Sequence, residues 1–302
     1  MPRASLPSRA ARRSLSPAPS SLPAEISALA LCCLAAALLS GCTAPTTDGK
    51  RSAELTPGDP TAPSQVTPRE ALEIARQLTT HPWQPFAKNI LHGKDKAGIL
   101  VNTPDAGFKD QPERPGWWLP GAVNIGIPYK WGGFDDPASF DSAVAGGLAA
   151  GDVASPEKRR LDNAAVSAQA AGIDCSGFVS RCLKLPSVFD SAQLPSVCSA
   201  LPSPQDLHPG DLLDFPHRHV LLCAGWPTPD QRWIYYYETG GAPEYWKPGL
   251  KQAPLERLLA AGYQPLHYRG MATGGQTDGK QVLTRGVRMA ATVVTNPVVG
   301  EP

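Results

Sequence analysis

The sequence is short of charge. Acidic and basic residues make up 18% of the 302-residue chain, against roughly 25% in an average soluble domain. The two signs nearly cancel, with 28 basic and 27 acidic side chains. No global positive field exists to attract nucleic acid, and no obvious local patch replaces it. Phosphate-loop and dinucleotide-binding fingerprints are missing. The cysteine and histidine spacings fit no compact metal-ligand set, and no internal repeat is visible. The apolar run Ile26–Leu39 falls short of the ~20 residues of a membrane span. These absences argue against nucleic-acid partners, nucleotide cofactors, bound metal and a repeat architecture. What is present in excess is proline (33) and glycine (28), a load that points to a folded domain with irregular flanks. A hydrophobic content of 42% is enough for a real core in one or two domains.

The first 41 residues have the layout of an export signal. Arg3, Arg9, Arg12 and Arg13 form a positive start, the apolar run follows, and Leu39-Ser40-Gly41-Cys42 closes it. That ending resembles a bacterial lipoprotein cleavage box, which makes Cys42 the lipidated first residue of the mature chain and the membrane its anchor. Glu25 at the edge of the apolar run departs mildly from the pattern. Loss of this segment removes four arginines and one glutamate, turning the balance slightly acidic. It also removes Cys32 and Cys33, leaving Cys175, Cys182, Cys198 and Cys223 beside the lipidated residue. In an oxidising exterior such an even set is compatible with bridges, Cys182 with Cys198 among them.

Residues 42–66 read as a flexible tether rich in Pro, Thr, Ser and Gly. At Thr67-Pro68-Arg69-Glu70 a capping box opens a helix near 68–79, with Leu72, Ala75 and Leu78 on one face. The stretch 67–119 is expected to be a helical and irregular extension, with turns and short strands from 81 onward. Residues 134–172 are small and helical in flavour. Leu212–Phe215, His219–Ala224, Trp233–Glu238 and Gln264–Tyr268 read as short strands. A helix preceding a run of antiparallel strands predicts an α+β domain. The tail 271–302 holds one possible strand and is expected to lie outside the core.

The chemistry centres on Asp174-Cys175-Ser176-Gly177. Asp174 is placed to cap a helix continued by Phe178, Val179 and Cys182. Cys175 then sits in the first turn, where unpaired N–H groups and the helix dipole favour a thiolate. Gly177 is read as leaving room beside the sulfur for a substrate backbone. A buried apolar cysteine at a helix start would look the same in isolation. His219 opens the segment His219-Val220-Leu221-Leu222-Cys223, whose alternation puts His219, Leu221 and Cys223 on one face. His219 is thus the candidate base, with His217 in the preceding turn as its nearest competitor. Glu238, at the end of the next strand, can orient the imidazole or can simply be an exposed strand-end charge.

Gly126-Ile127-Pro128-Tyr129-Lys130-Trp131-Gly132-Gly133, then Asp174-Cys175-Ser176-Gly177-Phe178-Val179, Pro209-Gly210-Asp211 and His219-Val220 with Gly225 together resemble the NlpC-type cell-wall peptidases, in that family's own order. The resemblance covers roughly 120–270. It implies a compact papain-like α+β fold, with a catalytic cysteine at a helix N-terminus packed on an antiparallel sheet. The implied activity is cleavage of the peptide stems of peptidoglycan, commonly between D-glutamate and a diamino acid, without a cofactor. By the same resemblance Cys175 is the nucleophile and His219 the base, Tyr129 lines the cleft, and Ser176 lies on the substrate side. Two departures stand out. Residues 134–173 form a long insertion, expected to be a lobe beside the cleft. The third polar position, often histidine in the family, falls on Glu238. An amidase acting on another amide or acyl group, or a non-catalytic wall-binding or assembly lipoprotein, would share much of this pattern.

Overall fold

The computed structural model describes residues 64–272 and the short strand Thr292–Val293. The signal segment, Cys42, and most of the tether and tail lie outside the described residues. No helix among the described residues is long and apolar enough to cross a membrane.

Among the described residues there are five α-helices: α1 (Pro68–Thr80), α2 (Pro137–Ala145), α3 (Pro156–Leu161), α4 (Cys175–Cys182) and α5 (Leu255–Ala261). The main sheet has seven strands: β1 (Cys198–Ala200), β2 (Leu212–Phe215), β3 (His219–Gly225), β4 (Trp233–Glu238), β5 (Gly249–Pro254), β6 (Gln264–Tyr268) and β7 (Thr292–Val293). Their spatial order is β7-β5-β4-β3-β2-β6-β1. Every pairing is antiparallel except that of β5 with β7. The fold is α+β, as the pattern of helices and strands predicts.

Helix α1 starts where its capping box places it. Glu70 N–H donates to Thr67 Oγ1 at 3.2 Å, and Thr67 N–H donates to Glu70 Oε2 at 2.8 Å. Its buried stripe is Ala71, Ala75 and Leu78. These residues join Phe178, Val179 and Cys182 of α4 and Val220, Leu222 and Ala224 of β3 in the principal core. Leu221 and Cys223 face the other way, into a second cluster with Ile234, Tyr236, Leu255 and Leu258. Strand β3 is therefore covered on both faces and buried along its whole length. This explains its nearly continuous apolar composition and gives Cys223 a packing role.

Residues 67–119 pack onto the rest of the domain, since Trp83 and Trp118 belong to the same core as α4. The insertion 134–173 is packed into the same core. Phe140 and Val144 of α2, together with Ala150, Ala171 and Ile173, enter the principal core. Within it, Ala149–Ala150 pairs in parallel with Ala170–Ala171. The reason is hydrophobic: Phe140 is fully buried and packs edge-on to Trp83 at 5.0 Å between ring centres. In the tail, Thr292–Val293 extends the sheet beside β5. Phe140→Ala should accordingly cost about 3–5 kcal/mol in a denaturant-unfolding measurement, whereas a phenylalanine on a peripheral lobe would cost under about 1 kcal/mol.

Candidate active site

Asp174 adopts extended backbone ahead of α4, and its Oδ1 accepts from Gly177 N–H at 2.6 Å. This cap fixes the first turn and leaves Cys175 at its head, partly exposed. Ser176 is buried, and its hydroxyl donates to Asp174 Oδ1 at 2.9 Å. That bond turns the hydroxyl toward the cap, so Ser176 holds the start of the helix instead of presenting a free group to a substrate.

The other oxygen of Asp174, Oδ2, accepts from Gly132 N–H at 3.0 Å, and Asp174 N–H donates to Gly133 O at 3.2 Å. The Tyr129–Gly133 loop is thereby clamped to the beginning of α4. This gives Gly177 a purpose different from the one its position suggests. A Cβ there would overlap the carbonyl of Gly133, so the glycine admits the protein's own loop and not a substrate backbone.

His219 and Glu238 meet inside the protein. His219 Nε2 lies 2.5 Å from Glu238 Oε2, with the two residues only 5% and 3% exposed. Glu238 is thus no exposed strand-end charge. The Cys175 side chain lies close enough to the same imidazole for its charge to act on it. With Nε2 on the carboxylate, Nδ1 is the nitrogen left for sulfur. Tyr263 flanks the ring edge-on at 6.4 Å between centres. His217, the competitor, is an exposed residue in left-handed conformation (φ 62°) in the β2–β3 turn.

A fourth member of the arrangement escaped the sequence reading. Lys251 on β5 is fully buried, and its Nζ lies 2.6 Å from Glu238 Oε1. It also donates to the carbonyls of Gly241 and Ala242, at 2.5 and 3.0 Å. Glu238 therefore bridges a lysine and a histidine. Burial alone would push its carboxyl pKa up, yet the Lys251 and His219 charges hold it below the ordinary range. Burial would likewise push the His219 pKa down, but the charges of Cys175 and Glu238 overcome it and stabilise the imidazolium. Among the described residues the other three cysteines, Cys182, Cys198 and Cys223, are buried free thiols, each with its pKa pushed up by burial. Cys182 and Cys198 are not bridged.

Tyr129 closes one side. Its ring packs on Trp246 at 5.3 Å between centres. Gly240 (φ 103°) lies against both this ring and the histidine: a Cβ there would be 3.0 Å from Tyr129 Cε2 and 3.7 Å from His219 Cε1. Tyr129, Trp246, Phe108 and Val153 form an apolar cluster, with Trp117, Trp131 and Tyr245 packed against it. Among the described residues no group of acidic, histidine and cysteine side chains could hold a metal ion. The arrangement can generate a sulfur nucleophile next to a positively charged proton donor, oriented by a carboxylate that cannot swing away.

The fold and site together define an α+β protein with a thiol–imidazole–carboxylate constellation. No protein-family model, curated protein or solved structure matches the chain.

Two outcomes test the electrostatics. Removing one charge of the Glu238–Lys251 pair leaves the other buried and alone, so Glu238→Gln and Lys251→Met should each cost about 3–5 kcal/mol in urea unfolding. The double variant should recover part of that loss, giving a coupling of about 1 kcal/mol or more in the mutant cycle. The pH dependence has a defined sign. The folded-state pKa of His219 lies above its ordinary 6.5, so its contribution to stability is full below 6.5 and is lost as pH rises through the folded value. That of Glu238 lies below 4.5, so its contribution is full above 4.5 and is lost as pH falls through the folded value. Their joint contribution should peak between these limits. Wild-type stability, minus that of a His219→Ala/Glu238→Ala variant, measured across pH, checks the shape.

Proposed function

We propose that this protein is a thiol peptidase of the bacterial cell envelope that hydrolyses the peptide stems of peptidoglycan, held to a membrane by lipid on Cys42. The observation that carries the reading is the buried line Lys251–Glu238–His219 ending at Cys175, on the first turn of a capped helix. It gains support from the order of the Tyr129, Cys175 and His219 motifs, which resembles that of the NlpC-type peptidases. A cysteine-bearing helix packed on an antiparallel sheet, with the histidine at the start of the strand beside it, is compatible with a compact papain-like fold.

In this mechanism the Cys175 thiolate attacks the carbonyl carbon of a stem-peptide amide. The oxyanion that forms faces first-turn N–H groups, that of Cys175 included, which have no acceptor within the helix. The His219 imidazolium gives its proton to the departing amine nitrogen as the carbon–nitrogen bond breaks. The acyl group remains on Cys175 as a thioester. Water, losing a proton to His219, then attacks the thioester, releasing the carboxylic acid and restoring the thiolate–imidazolium pair. Glu238 fixes the ring and its charge throughout, and Lys251 fixes Glu238. Tyr129 forms part of the cleft wall.

Purified murein incubated with the full-length protein in detergent should yield new stem-peptide fragments, resolved by chromatography and identified by mass. Cys175→Ala should lower the rate by at least about a thousandfold. Absence of new fragments with the parent protein would remove the peptidase reading. Cleavage of a different amide or of an acyl chain would show in the product masses and turn the reading to an amidase.

A further inference from the structure

Helix α5 supplies no group to the line from Lys251 to Cys175, yet it ends beside the imidazole. Its buried residues Leu255 and Leu258 join Ile234 and Tyr236 of β4 in the second apolar cluster. Gly262 closes the helix in left-handed conformation (φ 107°). Its N–H donates to Leu259 O at 3.0 Å, and Tyr263 N–H donates to Leu258 O at 3.1 Å, the paired bonds of a Schellman end. Gln264 then begins β6, opposite Asp214 of β2. Tyr263 is therefore held by a helix cap on one side and by a sheet ladder on the other.

The side chain delivered by this mount is buried. Its ring stands 6.4 Å from that of His219, with 75° between the planes, and 5.5 Å from that of Phe215, with 65° between them. Both are edge-on contacts within the range where aromatic rings attract. Phe215 is also the cross-strand partner of His219. Rings from β2, β3 and the α5–β6 junction thus meet at the start of β3. This contact supplies what Glu238 alone does not. The hydrogen bond at Nε2 fixes one atom of the imidazole, and the torsion about its Cβ–Cγ bond is broad, so neither sets the plane of the ring. An aromatic ring packed edge-on against it does, provided that its own position is locked from outside the site.

We infer that Tyr263 is a positioning residue, whose ring holds the His219 imidazole in the plane that keeps Nε2 on Glu238 and leaves Nδ1 free for the thiol. The inference rests on the thiol–imidazole pair of the proposed peptidase but not on the identity of its substrate. The ring performs this role, so a phenyl ring in its place serves as well, whereas an aliphatic side chain of similar bulk leaves the imidazole free to turn. Once turned, the ring loses its carboxylate partner, and the imidazolium that favours the thiolate is no longer stabilised.

Alkylation of Cys175 by iodoacetamide, followed across pH in the full-length protein and read by mass on the Cys175 peptide, tests this. The midpoint of the profile marks the pH at which the thiolate appears. Tyr263→Leu and Tyr263→Met, which lack a ring, should each raise it by about one pH unit, making the reaction roughly tenfold slower below the parent's midpoint. Tyr263→Phe should keep it within about 0.3 units of the parent. In a His219→Ala background Tyr263→Leu should add no further shift, because its effect passes through the imidazole. Leu207→Ala thins the same apolar cluster at the other end of β3, beside Trp226. It should lower stability to urea and leave the midpoint in place. A parent-like midpoint in the ringless variants overturns the inference. So does an equal shift in Leu207→Ala or in Tyr263→Phe, or a shift that persists without His219. The murein digest separates this from the peptidase reading. A shifted midpoint in a protein that releases no stem fragments upholds the positioning role and removes the peptidase; fragments with an unshifted midpoint do the reverse.

Discussion

A carboxylate held between two cations in the interior sets the terms for the rest of this molecule. Glu238 can stay ionised out of water only while Lys251 and His219 both reach it. They do so from the strands on either side, so β3, β4 and β5 must keep one register. Lys251 stands opposite Tyr236, two residues from Glu238 on the same face of the sheet. A slip of one residue would carry a charged side chain into the opposite apolar cluster. The ion line thus specifies the pairing of the central sheet as well as the state of the histidine.

A second constraint joins the sheet to the nucleophile. The Tyr129–Gly133 loop, the Asp174 cap and Gly177 are mutually fitted: the loop's amide and carbonyl serve the cap, and the glycine admits the loop. Two motifs more than forty residues apart in the chain are therefore one piece of structure. The intervening insertion is folded into the core through Phe140. An insertion so deeply packed contributes to the stability of the whole domain.

Much of this was readable from local chemistry. Thr67 with Glu70, and Asp174 ahead of an apolar helical spacing, announce their helices because capping is a short-range interaction. The strands at 212, 219, 233 and 264 stand out because β-branched, aromatic and leucine side chains cluster between turn residues. Strand β5 was missed: Gly249-Leu250-Lys251-Gln252-Ala253-Pro254 has weak strand character and holds its place by pairing with β4. Lys251 was invisible for the same reason, since a lysine is buried only when a distant carboxylate awaits it. Its alternation with Ala253 on one strand face was the sole local sign. The use of Gly177 and the course of residues 134–173 also depend on contacts between distant segments, which spacing along the chain does not encode.

The division of labour between α4 and the sheet has a consequence for the chain before it is folded. The cap that presents Cys175 is local and can form with the helix itself, while His219, Glu238 and Lys251 take position only when three later strands have paired. A chain whose sheet has not yet paired therefore carries the thiol without its imidazole neighbour. The meeting of sulfur and imidazole is thus a property of the completed sheet, and not of the helix that carries the cysteine.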